Sequence, residues 1–75
     1  MSAELGQRLK EQRQRLGISQ EYLATLLNRE QTAISKMENG ARQINVHEFL
    51  HWCKALNLSY AEATELLRIA PYDHE

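Results

Sequence analysis

Five polar side chains between residues 31 and 39 have the types and spacing to hydrogen-bond a polar, negatively charged partner. They are Gln31, Thr32, Ser35, Lys36 and Asn39. At about 100° of rotation per helical residue they fall on one side of a helix, opposite the apolar Ala33, Ile34 and Met37. Amide, hydroxyl and ammonium groups without a carboxylate among them can bond the base edges and phosphates of DNA. The pattern indicates a surface helix that is able to contact nucleic acid.

Other chemistry is sparse in this sequence. His47 and His51 are four residues apart, a spacing that can hold one metal ion, but no third ligand is in register and we expect solvated histidines. Cys53 is the only cysteine, which excludes an internal disulfide, and we expect it to be a small core residue. There is no Gly-rich phosphate loop and no Ser-His-Asp set. We therefore expect no enzyme activity, no cofactor and no metal.

Length and composition indicate one small helical domain. The chain has 75 residues, of which 43% are hydrophobic and 25% are charged, as in ordinary globular proteins with a single core. Only three glycines and one proline occur among many helix formers, which predicts an all-α fold. No apolar run approaches the roughly 20 residues that span a bilayer. Because the N-terminus also has no signal-peptide pattern, we expect a cytoplasmic protein without a membrane partner.

The formal net charge of −1 does not by itself indicate a nucleic-acid partner. The charge is unevenly distributed, however. Residues 1–43 carry seven Lys and Arg against five Glu, whereas residues 44–75 carry two against five acidic residues. This asymmetry fits a mildly basic working face with an acidic back. In so short a chain it also arises by chance, and both interpretations stay open.

Capping and turn residues divide the chain into five helical segments. The predicted helices span residues 3–15, 20–27, 31–38, 46–56 and 60–69. Ser19, Asn45 and Ser59 are predicted N-caps, and the last two have a Glu three residues later, as in a capping box. Gly17, Asn28 and the pair Asn39-Gly40 are predicted helix ends. We expect one domain over residues 1–70 and a short C-terminal tail over residues 71–75.

Apolar residues at helical spacing predict the faces that form the core. The stripes are Leu5, Leu9 and Leu16 in the first helix, Leu23, Ala24 and Leu27 in the second, and Val46, Phe49, Leu50, Cys53 and Leu56 in the fourth. Ala24 lies where the second and third helices are expected to cross, because a small residue permits close approach. The connector of residues 28–30 between these helices is short enough for a helix-turn-helix.

Two motifs in this region resemble those of the Cro/phage-repressor (XRE) helix-turn-helix family. The motifs are residues 19–24 (SQEYLA) and residues 32–40 (TAISKMENG), and residues 49–56 (FLHWCKAL) fit the same pattern. The resemblance covers roughly residues 5–67, and both motifs stand in the correct register. It implies a compact five-helix bundle of the lambda-repressor-like type, in which the helix 31–38 enters the major groove of DNA.

The resemblance also implies a role for individual residues. The positions expected to contact bases are Gln31, Thr32, Ser35 and Lys36. Gln31 can pair with adenine, and Lys36 can donate to guanine. The positions expected to contact phosphates are Gln20, Arg29, Asn39, Arg42 and Gln43. Arg13 and Glu38 match a charged pair of the family that has a structural role and positions the helix 31–38.

Arg29 departs from the family pattern. The family often has an aliphatic residue at this position, buried under the turn. An arginine is too costly to bury there without a partner, so we expect it to point outward, where it can reach a phosphate.

DNA recognition by this chain is expected to need two copies. One helix contacts few base pairs, while a genome offers about 10⁶–10⁹ competing sites, so we expect a homodimer on a palindromic operator. The candidate interface residues are Trp52, Leu66, Ile69 and Tyr72, with ordinary core or tail packing as the alternative for each.

The resulting hypothesis is a small dimeric transcriptional regulator, a repressor, that binds double-stranded DNA sequence-specifically. An antitoxin-like autorepressor that also binds a partner protein is one alternative, with the acidic residues 59–75 as its candidate surface. A helical protein-interaction module without DNA binding is the other. The slightly negative net charge favours this module, and the uncharged and cationic face of the third helix opposes it.

Overall fold

The computed structural model describes residues 3–67, which form five helices. The helices are α1 (Ala3–Arg15), α2 (Gln20–Leu27), α3 (Gln31–Glu38), α4 (Val46–Ala55) and α5 (Tyr60–Leu67). The predicted all-α fold is confirmed, and α1, α2 and α3 have the predicted bounds. Helix α4 ends one residue earlier than predicted, and the expected end of the fifth helix near residue 69 lies outside the described residues. Within residues 3–67, no helix has the length and apolar character needed to cross a membrane.

Local capping bonds start three of the helices, α2, α4 and α5. The Ser19 hydroxyl accepts a bond from the backbone N–H of Tyr22 at 3.0 Å and starts α2. Reciprocal capping boxes start the last two helices. Asn45 and Glu48 form one, with bonds of 2.7 and 3.1 Å, and Ser59 and Glu62 form the other, with bonds of 3.1 and 2.8 Å. All three caps confirm the prediction, because a cap depends only on residues close together in the chain.

Helix α2 ends at Asn28 in the left-handed conformation, with φ 56° and ψ 46°, as the sequence predicts. Its backbone N–H donates to the carbonyls of Ala24 and Thr25, which otherwise have no partner at a helix end. Asn57 adopts the same φ of 56° after α4 and was not predicted. An asparagine tolerates this conformation better than other non-glycine residues, so both loops turn sharply without a glycine.

The core lies around α3, which packs against both α1 and α2. Helix α4 packs against α2, and α5 packs against α1. The largest fully buried side chains are Leu9, Leu23, Ile34, Met37 and Trp52. Ala24 on α2 is also buried. Because its apolar face is held from two sides, α3 turns its polar face away from the bundle.

Three apolar residues that were expected in the core are exposed. Val46 and Leu50 on α4 are 63% and 55% exposed, and Leu16 lies beyond the end of α1 and is 45% exposed. The predicted stripe on α4 was therefore wrong at two positions. The buried face consists of Phe49, Trp52, Cys53 and the C-cap Leu56, whose spacing of i, i+3, i+4 and i+7 forms a narrower stripe. This face places the large Trp52 ring inside, which removes more apolar surface from water than Leu50 would.

Trp52 and Leu66, expected at a dimer interface, belong to this core. Trp52 is 1% exposed and its indole N–H donates to the Met37 sulfur at 3.3 Å, while Leu66 is also buried. Neither side chain offers surface to a partner, which corrects the sequence-based assignment. The other two candidates, Ile69 and Tyr72, lie outside the described residues.

Gly6 marks the point where α1 approaches the end of α3, and sequence analysis missed it. A Cβ atom at this position would lie 2.1 Å from the carbonyl oxygen of Met37 and 3.0 Å from that of Glu38. Both contacts are with backbone, which cannot rotate away. The close helix crossing therefore requires glycine at this position.

Substitution Gly6→Ala should lower the free energy of unfolding by about 1–3 kcal/mol, the usual cost of overpacking a core. Alanine is the better helix former by about 1 kcal/mol, so an exposed glycine would show the opposite sign. Urea unfolding measures the effect. The exposed neighbour Gln7→Ala serves as the control and should change stability by less than about 0.5 kcal/mol. A Gly6→Ala protein as stable as the wild type would contradict the close crossing.

Candidate nucleic-acid interface

Most of the polar face of α3 is exposed. Gln31, Thr32 and Lys36 are exposed and Ser35 is half-buried, whereas Ile34 and Met37 on the opposite face are buried. The predicted division of this helix into a core face and a polar face is confirmed. Four hydrogen-bonding side chains without a carboxylate thus project together from one helix surface.

A buried ion pair holds α3 in place from behind. Arg13 on α1 donates from Nε to Glu38 Oε2 at 2.6 Å and from Nη2 to Oε1 at 3.1 Å. Its remaining Nη1 donates to the carbonyl of Ile18 at 2.7 Å. Arg13 is 7% exposed and Glu38 is 3% exposed, so the pair is shielded from water. The pair that the family resemblance implies is present, and it ties α1, the loop before α2 and the end of α3 together.

A row of hydrogen bonds extends from this pair to the polar face. Glu38 Oε1 also accepts from Gln20 Nε2 at 2.9 Å, and Gln20 Oε1 accepts from Gln31 Nε2 at 3.2 Å. The pair of Arg13 and Glu38 was predicted from the sequence, but its connection to Gln20 and Gln31 was not. Gln31, expected to contact a base, is therefore oriented through Gln20 by the same carboxylate that Arg13 holds.

Glu48 brings together the two arginines expected to contact phosphates. Arg29 precedes α3 and donates from Nη1 to Glu48 Oε2 at 3.1 Å, and Arg42 follows α3 and donates from Nη2 to the same oxygen. The sequence predicts Glu48 only as part of the capping box of α4. Nothing local in the sequence indicates its contact with Arg29, which is 19 residues away in the chain.

The remaining positions expected to contact phosphates lie in the loop after α3. Asn39 is exposed, and its Oδ1 accepts from the backbone N–H of Ala41 at 2.9 Å, while Gln43 is also exposed. The backbone N–H of Arg42 donates to the Lys36 carbonyl at 3.2 Å and holds this loop against α3. The loop therefore places polar groups directly after the polar face of α3.

Opposing effects act on the pKa of Glu48. Burial would raise it, but the backbone N–H of Asn45 and the charges of Arg29 and Arg42 outweigh burial and hold it below the ordinary value. The carboxylate is therefore ionised at neutral pH and is stabilised by the groups that it contacts.

The residues considered for metal or thiol chemistry are two exposed histidines and one buried cysteine. His47 and His51 are exposed with ring centroids 4.8 Å apart, and residues 3–67 contain no group of three side chains placed to hold a metal ion. Cys53 is buried as predicted, and burial raises the pKa of its thiol. A neutral, buried thiol packs as a small apolar side chain.

Substitution Arg13→Ala should lower the free energy of unfolding by about 3–5 kcal/mol, because it leaves the Glu38 carboxylate buried without its cation. The paired substitution Arg13→Met with Glu38→Leu should cost much less, since neither charge then remains in the interior. Urea unfolding of the three proteins measures both effects. Equal losses in the single and the paired variants would show that packing, and not the charge, is the source of the stability.

The contribution of Glu48 to stability should depend on pH. A folded-state pKa below the ordinary value of 4.5 means that its stabilisation is present at neutral pH and is lost as the pH falls through the folded pKa. Wild type should therefore be more stable than Glu48→Gln at neutral pH, and the difference should shrink in acid. A difference that stays constant between neutral and acidic pH, measured by urea unfolding, would contradict this assignment.

Comparison with known proteins agrees with this geometry. A family model described as a helix-turn-helix domain matches residues 4–67. Among solved structures, the restriction-modification controller protein C.AhdI from Aeromonas hydrophila is similar, with a sequence identity of 33% and a TM-score of 0.74. The match covers 81% of this chain and 92% of the C.AhdI chain. Comparison with curated proteins gives no match. The family model, the bundle and the outward polar face of α3 agree, and the chain belongs to the helix-turn-helix family of DNA-binding transcription regulators, of the Cro/repressor type.

Proposed function

We propose that this chain represses transcription as a dimer that binds double-stranded DNA sequence-specifically, with α3 in the major groove. The observation that carries the proposal is the polar face of α3, held outward by the buried pair of Arg13 and Glu38. A helix with its side chains is about 10–12 Å across and fits a groove about 12 Å wide.

Base recognition is assigned to the four polar side chains of α3. Gln31 lies in the first turn and can bond adenine at N6 and N7, and Lys36 can donate to guanine at O6 and N7. Thr32 can contact a thymine methyl group. Ser35 is short and half-buried, so its reach is smaller. The bond from Gln31 to Gln20 restricts the Gln31 amide before DNA binds, which lowers the entropy lost on binding.

Phosphate contacts are assigned to the residues around α3. Gln20 lies in the first turn of α2, where backbone N–H groups also favour an anion. Asn39 and Gln43 lie in the loop after α3, and Arg29 and Arg42 lie on either side of that helix. These contacts are independent of base sequence and determine how the protein is oriented on the duplex.

Dimerisation follows from the small footprint of one helix. Two copies related by a two-fold axis would read half-sites about 34–36 Å apart in a palindromic operator. With Trp52 and Leu66 in the core, other apolar side chains are available to a second copy. Within residues 3–67 the exposed large ones are Leu16, Tyr22, Leu26, Val46, Leu50, Tyr60 and Leu67. Ile69 and Tyr72 remain candidates, and sedimentation velocity over a range of protein concentrations tests the association.

The similarity to C.AhdI favours one class of target gene. That protein is a restriction-modification controller, and the identity of 33% extends over most of both chains. We propose that this chain likewise controls restriction-modification genes, and that it acts by binding alone, in the cytoplasm and without a cofactor, metal or catalytic step. Duplexes from upstream of its own gene and of any neighbouring methyltransferase or endonuclease gene are the ones to test.

Two alanine substitutions separate base reading from phosphate binding. Gln31→Ala should weaken operator binding by about 1–3 kcal/mol and reduce the preference over a scrambled duplex, since one base-edge contact is lost. Arg42→Ala should weaken binding to both duplexes similarly and reduce the salt dependence by about one phosphate contact. Fluorescence anisotropy at several salt concentrations measures both.

The wild-type titration decides between the candidate functions. Tight binding that prefers the upstream duplex and weakens with salt supports an autoregulating repressor. If Gln31→Ala loses the same affinity for both duplexes, the assignment of Gln31 as a base-contacting residue is contradicted. Absence of binding to every duplex at low salt would favour a protein-interaction role.

A further inference from the structure

Two arginines from opposite ends of α3 converge on a single carboxylate oxygen. Arg29 lies two residues before the helix and Arg42 lies four residues after it, yet both donate to Oε2 of Glu48. A pair of guanidinium groups directed at one anionic oxygen is also the arrangement that binds a phosphate. In this protein the oxygen belongs to a side chain of the same molecule.

Glu48 is held in place independently of the arginines. Its Oε1 accepts from the backbone N–H of Asn45 at 3.1 Å, and its own backbone N–H donates to Asn45 Oδ1 at 2.7 Å. Its side chain is only 13% exposed, compared with 34% for Arg29 and 38% for Arg42. The carboxylate is thus a fixed point at the start of α4, and the two longer side chains reach toward it from the surface.

The cluster keeps a net positive charge and unused donors. Two cations share one anion, and each guanidinium carries five N–H donors, of which one is directed at Glu48. His51 lines the same small cavity as Arg29 and Glu48. The arginines are therefore half neutralised in the free protein.

We propose that Glu48 is an internal counterion, which occupies the phosphate-binding site formed by Arg29 and Arg42 and thereby lowers the affinity of the protein for DNA of any sequence. This inference rests on the proposed function, because it takes the two arginines as phosphate contacts. It assigns Glu48 a role beyond capping α4. The base-reading side chains on α3 are not bonded to Glu48, so the effect is independent of base sequence.

Removal of the carboxylate charge should have a measurable size. It returns about one unit of positive charge to the site, which corresponds to about one further phosphate neutralised. The slope of log affinity against log salt should then steepen by about 0.9, which makes binding about eightfold tighter near 0.1 M salt. Operator and random duplexes should gain by a similar factor.

The test compares Glu48→Gln with wild type on a random-sequence duplex by fluorescence anisotropy, between about 50 and 200 mM salt. Glutamine also completes a capping box, so α4 should keep its start, which circular dichroism checks. The same substitution is made in a background carrying Arg29→Ala and Arg42→Ala. Glu30→Gln is the matched control, because Glu30 is an exposed carboxylate beside α3 whose side chain makes no capping bond.

The inference is supported if Glu48→Gln binds more tightly than wild type and with a steeper salt slope. This gain in affinity should disappear in the background carrying Arg29→Ala and Arg42→Ala, and it should be larger than the gain from Glu30→Gln. An equal gain in both backgrounds overturns it, because the charge would then act without the arginines. Weaker binding by Glu48→Gln also overturns the inference and would make Glu48 a residue that only orients the two arginines.

Elution from heparin, a polyanion, separates failure of the inference from failure of the proposed function. If wild type binds no duplex, the proposed function fails, and the inference survives only if Glu48→Gln elutes at higher salt than wild type.

Discussion

The buried pair of Arg13 and Glu38 is the constraint on which the geometry of the DNA-binding face depends. A carboxylate that is 3% exposed is stable only when a cation and further donors surround it, and Arg13 and Gln20 supply them. Because Glu38 is the last residue of α3, its contacts determine the position of that helix relative to α1 and α2. Any movement of α3 would break hydrogen bonds in a place that water does not reach.

Two carboxylates therefore organise the same face in different ways. Glu38 is buried and holds Gln20, which in turn holds Gln31, so it acts on the side chains assigned to base reading. Glu48 lies nearer the surface and holds Arg29 and Arg42, so it acts on side chains assigned to phosphates. The Glu38 carboxylate is buried away from the DNA-binding face and positions the side chains that it contacts. The Glu48 carboxylate competes with DNA for the same cations and influences affinity.

The close packing beneath this face explains why α3 can be so short. Eight residues form little more than two turns, and such a helix is not stable alone. Gly6 lets α1 approach the backbone at its end, α2 packs beside it with Ala24 buried, and Trp52 on α4 donates to the Met37 sulfur. Ile34 and Met37 of α3 are buried in this core, whereas an isolated helix would expose them to water. The outward face contributes no buried apolar side chain and can carry groups suited to recognition.

The sequence by itself determined where the helices begin, where α2 ends and the two faces of α3. Ser19, Asn28 and the pair of Asn45 and Glu48 act through bonds to residues at most a few positions away, so their effects can be read locally. The family motifs also identified the Arg13–Glu38 pair. Tertiary structure decided the rest. It required glycine at position 6, turned Trp52 inward and Leu50 outward, and brought Arg29, Arg42 and Glu48 to one point. These outcomes depend on which helix faces meet, and helical periodicity within one segment does not contain that information.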